Sequence, residues 1–415
     1  MLLEVDYVDF EVIVINDGSK DNTLEIMKSA FDFQDKTNQQ SDLLITKEIR
    51  KVYEGKNEKI ILIDKENGGK ADSINAGINY ASKKYICTID ADSILDSQAL
   101  KKVIEPFILD PNNFVSGGQL AASNDVTLKH NKVIASRMPR NIWVLWQIIE
   151  YIKSFLISRI GLSKINALLI MSGAFSIYRK DDLEKVGGFL TEHNQHPYIQ
   201  NSIGLGNKTV CEDMEIVVRL WRYFRENKIK AKASFLPQPV CWTEMPDSGI
   251  NLYKQRSRWH MGLAETLKIH RHIAFEPKYK SIGLIAYPYY LFFELLSPII
   301  KIFALFFIFL GSYMGTLNLG WVLLLIASIT LTTAIIMSSI TAIIENWSQN
   351  KVSANRDALR YKNFWNWMWL LIIGIIGDFT YAFFRTFAQF MGIIKFFQKK
   401  SDWNKFERKG IKIEN

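Results

Sequence analysis

The chain is poor in the residues and patterns that define several large functional classes. Only three of its 415 residues are cysteine, and Cys87, Cys211 and Cys241 lie far apart. They form no metal-type pair and read as reduced thiols on the cytosolic side. The six histidines show no metal-ligand spacing. There is no Walker loop, no dinucleotide fingerprint and no Ser-His-Asp arrangement. The first ten residues carry Glu4, Asp6 and Asp9 without an apolar core, so they are not a signal peptide. Net charge is +9, yet no basic array is interleaved with aromatics and no zinc-finger spacing occurs, so nucleic acid is not the expected partner. In so apolar a chain a basic balance points to anionic lipid headgroups.

Apolar residues make up 48% of the chain, and a mean hydropathy of +0.01 hides a strong asymmetry. Before residue 262 the pattern is that of a soluble α/β domain, and 263–415 is a membrane region. The run Phe10–Ile15 reads as a buried strand ending in the turn Asn16-Asp17-Gly18-Ser19, with a helix following from Asp21 to about Ala30. Lys59–Ile63 is a second strand, Asn67-Gly68-Gly69-Lys70 opens a helix to about Ser82, and Tyr85–Ile89 is a third strand running into Asp90. This alternation predicts a parallel sheet, with ligands beyond the carboxyl ends of its strands. Residues 141–170 read as a helix lying on the membrane surface, or as an ordinary packed one.

Three apolar stretches follow, at 284–310, 321–344 and 364–397. The first two are long enough to span, a span needing ~20 residues. The third carries Asp378, Arg385 and Lys395 and reads as one span to about Tyr381 followed by an interfacial helix. The basic segments 268–280 and 351–362 belong inside by the positive-inside rule. The basic tail 399–409 belongs inside as well, which a third full crossing forbids and a re-entrant or interfacial segment allows.

The chemistry-bearing residues come in an ordered series. Asp90 and Asp92 flank one alanine past a strand end, and two carboxylates so close call for a hard divalent cation, Mg²⁺ or Mn²⁺. A solvated turn is the plain alternative. Asp17 could accept from a base or ribose, or simply cap its turn. Asn67-Gly68-Gly69-Lys70 could bring backbone amides to a phosphate, with Lys70 adding charge. Glu212-Asp213 opens a helix, where acids are favoured by the dipole, and Asp213 is the candidate general base. Gln255, Arg258 and Trp259 share one helix face: Arg258 could clamp a diphosphate and Trp259 could face a sugar ring, or both could form an interfacial belt. Ser172-Gly173-Ala174 reads as close packing, and His260 is the one histidine near this series.

The series resembles the membrane-embedded family 2 glycosyltransferases, the synthases of cellulose, hyaluronan and poly-N-acetylglucosamine, and the last group most of all. The motifs that carry it are Val14-Ile15-Asn16-Asp17-Gly18-Ser19, Asn67-Gly68-Gly69-Lys70-Ala71-Asp72, Asp90-Ala91-Asp92, Ser172-Gly173-Ala174, Glu212-Asp213 and Gln255-x-x-Arg258-Trp259, covering residues 10–262. The resemblance implies a GT-A (Rossmann-like, nucleotide-diphospho-sugar transferase) α/β domain followed by C-terminal transmembrane helices. It also implies a UDP-sugar donor, a divalent cation, inversion at the anomeric carbon, and a growing glycan or a lipid-linked acceptor at the cytosolic face of the inner membrane. By the same resemblance Asp17 contacts the nucleoside, Lys70, Asp90 and Arg258 bind the nucleotide-sugar, Asp90 and Asp92 hold metal, Asp213 is the base, and Glu212, Gln255 and Trp259 face the acceptor. Synthase or export subunits are the implied protein partners. Cys211 stands where many relatives have Thr or Gly. The family's first strand is expected before Met1, so an N-terminal truncation, leaving a gap in the centre of the sheet, is part of the reading. The alternatives kept open are a single transfer to a lipid acceptor and a non-catalytic partner of a synthase complex.

Overall fold

The computed structural model describes residues 5–35, 43–56, 59–129, 131–352, 363–399 and 412–413. The expected early elements are present. Strand Val12–Asp17 pairs in parallel with Ile60–Lys65, from Val12 opposite Ile60 to Asp17 opposite Lys65. Ile49–Gly55 joins the far side of Ile60–Lys65 antiparallel, and Phe33–Asp35 completes this sheet. A second sheet runs in the order Tyr85–Ile89, Phe175–Arg179, Asn113–Ala122, Lys232–Thr243, Ile94–Leu95. Within it only Asn113–Ala122 and Lys232–Thr243 pair in parallel. The sheets are therefore mixed and not parallel throughout. The βα alternation that suggested parallel pairing ends near residue 90, and Ile49–Gly55 and Phe175–Arg179 insert against their neighbours in the opposite sense.

Val12–Asp17 and Tyr85–Ile89 are edge strands of the two sheets. Both are apolar yet mostly half-buried, whereas their neighbours Ile60–Lys65 and Phe175–Arg179 are almost wholly buried. Among the described residues these two strands lie in separate sheets. Asp17 ends one edge strand and Asp90 follows the other, so the candidate site straddles the division.

The main core forms on the helix side of the second sheet, where Phe114, Tyr178, Trp221 and Phe224 pack with Leu168, Leu169 and Ile216. Helix Ile142–Glu150 is packed on two sides. Val144 and Ile148 enter that core, while Leu145 and Ile149 pack on Leu370 and Ile373 of helix Phe364–Phe379.

The first apolar stretch is two helical pieces, Ile282–Leu295 and Ser297–Tyr313, bent by 48°. Pro288 and Pro298 each lack the N–H that a continuous helix would use. Leu319–Thr341 is the one described helix long and apolar enough by itself to cross a membrane, and the number rises to three if each bent pair is one span. The other bent pair is Phe364–Phe379 with Tyr381–Gln398, again 48° apart, and it breaks at Thr380, close to the expected boundary. Tyr381–Gln398 lies against the domain helix Gly249–Ile269: a side chain on Gly392 would run into the Ser257 carbonyl, and Phe387 stacks on Tyr253 at 6.1 Å. Lys412–Ile413 then pairs with Val126–Lys129 of the domain. After its third apolar stretch the chain returns to the domain. Most of the basic loop, 353–362, and most of the tail, 400–411, lie outside the described residues.

Candidate active site

The site is assembled by segments that gather around the carboxyl ends of the edge strands. Asp17 comes first. Its Oδ1 accepts from Lys65 Nζ at 2.9 Å and from the Gly68 N–H at 2.8 Å, and its Oδ2 from the Gly69 N–H at 2.8 Å and Asn67 Nδ2 at 3.2 Å. These four donors match the acceptor capacity of an ionised carboxylate. The two glycine amides that the sequence offered to a phosphate are thus turned to Asp17, because the loop folds back over the strand end. Gly69 takes a φ of 85°, which a residue with a Cβ adopts only with strain.

Lys65 was not singled out from the sequence. It is fully buried, bonds Asp17, and pairs with Asp72 at 2.6 Å. Asp72 is equally buried and accepts from the Lys47 N–H at 3.1 Å. A lysine closing an apolar strand, in register with an aspartate closing its neighbour, is the sequence signal that was available.

Lys70 opens helix Lys70–Tyr80 and is the hub of the acid cluster. Its Nζ lies 2.6 Å from Asp90 Oδ1 and 3.0 Å from Glu212 Oε1, and donates to the Gly173 carbonyl at 3.1 Å. Burial alone would lower the pKa of this ammonium, but Glu212 and Asp90 more than reverse that and raise it. Asp90 is fixed by its own N–H, which donates to the Ala174 carbonyl at 3.2 Å. Asp92 lies half-buried in the same turn.

Gly173 proves central. Its N–H donates to Asp213 Oδ2 at 2.9 Å, and a Cβ there would lie 3.1 Å from both Asp213 Oδ2 and Lys70 Nζ. The close-packing reading of Ser172-Gly173-Ala174 therefore applies, and the groups packed against it are the site's own. Glu212 and Asp213 form the first turn of helix Glu212–Glu226. Burial pushes the Asp213 carboxyl up to about 6, with the Glu212 charge adding to the rise, while Lys70, Arg159 and the Gly173 N–H oppose it. A carboxylate poised there is suited to accept a proton near neutral pH.

Gln255, Arg258 and Trp259 share the half-buried face of helix Gly249–Ile269, while Arg256, Ser257 and His260 are buried behind them. This helix is pinned to the acid-bearing turn. Glu265 accepts from the Val210 N–H at 2.9 Å, the Cys211 thiol contacts the Trp259 carbonyl at 3.7 Å, and Gly262 abuts Cys211 so tightly that no side chain fits. A small residue at 211 is what this contact needs, and burial pushes its thiol pKa well up. His260 sits against the Leu295 carbonyl at 3.1 Å, and burial lowers its pKa to about 4, so it is a neutral packing residue.

Among the described residues no three His, Cys, Asp or Glu side chains group as a ready-made metal site. A cation coordinated by one or two carboxylates plus diphosphate oxygens and water does not need one. The ammonium of Lys70, 2.6 Å from Asp90 and 3.0 Å from Glu212, shows that these acids already hold a positive charge. Asp90 and Asp92 offer the carboxylate oxygens that the expected Mg²⁺ or Mn²⁺ would take.

Comparison with known proteins bears on the same region. Residues 2–187 match the family model described as "Glycosyl transferase family 2". The poly-beta-1,6-N-acetyl-D-glucosamine synthase of Staphylococcus epidermidis is 27% identical over 267 residues, which are 64% of this chain and 50% of that protein. The synthase of the same name from Staphylococcus aureus is 28% identical over the same shares. The chain thus spans about half the length of the curated relatives it matches. Among solved structures, a mannosyltransferase from Pyrobaculum calidifontis in complex with GDP-Man and Mn²⁺ superimposes with a TM-score of 0.51 at 16% identity, covering 91% of this chain and 81% of that one. At that identity the likeness speaks for the fold.

Proposed function

We propose that this chain, whose residues 2–187 match the family 2 glycosyltransferase model, catalyses inverting transfer of a sugar from a UDP-sugar to a growing polysaccharide at the cytosolic face of the membrane. N-acetylglucosamine is the first sugar to test, because the curated relatives are named for its polymer. The observation that carries this reading is the convergence on Gly173: Lys70 and Asp213 bond its carbonyl and its N–H, and Lys70 also holds Asp90 and Glu212.

In this mechanism Asp213 takes the proton of the acceptor hydroxyl as that oxygen attacks the anomeric carbon opposite the leaving diphosphate. One base suffices, because a nucleoside diphosphate leaves without a general acid, unlike the alkoxide of glycoside hydrolysis. Lys70 moves its charge from Asp90 and Glu212 to the diphosphate. Arg258 offers a second, bidentate contact to the same oxygens. Asp90 and Asp92 would hold the cation, whose contribution is to neutralise charge developing on the leaving group. Asp17 meets the nucleoside as an already oriented acceptor, and the bond from Asn67, at 3.2 Å the longest of its four, is the one to yield. Gln255 and Trp259 face the acceptor, the indole against a sugar ring.

The test is purified full-length chain in detergent with Mn²⁺ and, in turn, UDP-GlcNAc, UDP-glucose and UDP-glucuronate. Free UDP and product length by mass spectrometry are the readouts. A ladder of products, abolished by Asp213→Asn, supports the proposal. UDP release with only a single added sugar on lipid would replace the polymer reading by transfer to a lipid acceptor. No UDP from any donor would reject catalysis by this chain.

A further inference from the structure

Arg256 lies between the motif residues and belongs to none of the roles above. It is 3% exposed, and its guanidinium meets four partners. Nη1 donates to Gln255 Oε1 at 2.8 Å, and Nη2 donates to Glu150 Oε2 at 2.6 Å. Its Cζ lies 4.3 Å from the centre of the Trp259 ring and 5.9 Å from that of Tyr151. Two of the three residues on the acceptor face are therefore held by one side chain, one through its amide oxygen and one through its π face.

Glu150, at the end of helix Ile142–Glu150, is 8% exposed and serves more than Arg256. Its Oε2 also accepts from the Tyr381 hydroxyl at 2.6 Å, and Arg385 Nη1 lies 3.4 Å from its Oε1. Tyr381 and Arg385 both stand on helix Tyr381–Gln398. One carboxylate thus ties the acceptor-face helix to the last described helix of the membrane region. Buried ion pairs are poor stability devices, since an apolar pair of equal volume would hold the helices as well. What an arginine adds is a planar fork that can fix two neighbours at once.

We infer that Arg256 is a positioning residue that sets Gln255 and Trp259 for the acceptor, and that Glu150, held by Tyr381 and Arg385, fixes Arg256. The C-terminal helix thereby controls the acceptor side of the site without touching substrate. This rests on the acceptor role assigned to Gln255 and Trp259 under the proposed function.

The experiment compares full-length wild type, Arg256→Lys, Arg256→Met and Tyr381→Phe in nanodiscs. The readouts are KM for the UDP-sugar, KM for an oligosaccharide primer of the transferred sugar, and UDP release to water without primer. Arg256→Lys keeps the charge and loses the fork, so primer KM should rise about tenfold, and more in Arg256→Met. Tyr381→Phe removes one hydroxyl far from the substrate and should raise primer KM about threefold. Donor KM and primer-independent UDP release should stay within about twofold of wild type in all of them. Folded Arg256→Lys and Tyr381→Phe proteins with wild-type primer KM would overturn the positioning proposal alone, as would donor and primer KM rising together. A wild type that releases no UDP from any donor would overturn the functional reading beneath it.

Discussion

Substituting Gly173 by alanine isolates the contact at the centre of the site. The new methyl would stand 3.1 Å from both Asp213 Oδ2 and Lys70 Nζ, and 3.4 Å from Asp213 Cβ. The backbone does not object, because Gly173 is not among the glycines with positive φ. The strain falls on the two side chains, each of which must move by a few tenths of an ångström. The 2.9 Å bond from the Gly173 N–H to Asp213 lengthens as a result. A hydrogen bond to a charged group contributes about 1.5–3 kcal/mol, and losing roughly half of it leaves a deficit of ~1 kcal/mol. At 1.36 kcal/mol per pKa unit that is a rise of roughly 0.5–1 unit. The direction is upward because the N–H favours the ionised carboxylate, and the starting point is about 6. Asp213 works deprotonated, so the acidic limb of the kcat/KM profile should move to higher pH by that amount. Misplacement of the base should also lower the plateau about tenfold. The assay is UDP release between pH 5 and 9, with thermal unfolding in parallel. An unmoved acidic limb with a plateau within twofold of wild type would refute the placement of Asp213 against Gly173. A collapse of the melting temperature would instead make the glycine a packing residue only.

Three further outcomes follow from the same geometry. Asp213→Asn should lower kcat by about 10²–10⁴ while stabilising the fold above neutral pH. The folded pKa of about 6 exceeds the ordinary carboxyl value of 3.8, so the native state binds more protons and stability falls as pH rises through that window. Removing the charge should therefore return on the order of 1 kcal/mol at pH 8 and nothing at pH 4, read by thermal unfolding at both; equal effects at the two values would contradict a strained carboxylate. Lys65→Met leaves Asp72 buried without its cation and should cost about 3–5 kcal/mol, seen as a large drop in denaturation midpoint. A change below about 1 kcal/mol would show that Asp72 is not held by this pair. Asp92→Asn should raise the Mn²⁺ concentration needed for half-maximal UDP release about tenfold or more, and chelation should abolish release from wild type; an unchanged requirement would remove Asp92 from the metal site.

Much of the site was legible because its residues stand at strand ends and helix starts, positions that hydrophobic periodicity marks. Tyr85–Ile89 reads from the sequence with its observed bounds, and Asp90 follows it; the helix behind Glu212-Asp213 reads as Met214 to Arg225, and in the structure it runs Glu212–Glu226, taking in both acids. The shared face of Gln255, Arg258 and Trp259 followed from spacing alone. Lys65 and Arg256 were not legible. Each is a cation whose partners lie far away in the sequence, Asp17 being 48 residues from Lys65 and Glu150 being 106 from Arg256, and no local pattern announces such a pair. Gly173 was noticed as a close-packing residue, but what packs against it could not be read from its neighbours.

The sequence by itself determined the class: an α/β domain with acids at strand ends, a basic-aromatic helix, and apolar segments behind it. Periodicity and side-chain chemistry are local properties, and they suffice for that. Only the tertiary structure decided how those pieces are spent. It turned the loop amides to Asp17 in place of a phosphate and set Lys70 among the acids. It also placed the strands that lead to Asp17 and Asp90 in separate sheets, broke the first apolar stretch, and brought the last described helix back onto Glu150. Each of these depends on which buried charges and unpaired backbone groups meet across long sequence separations. Those are settled by the free energy of the whole packed chain and by no single segment of it.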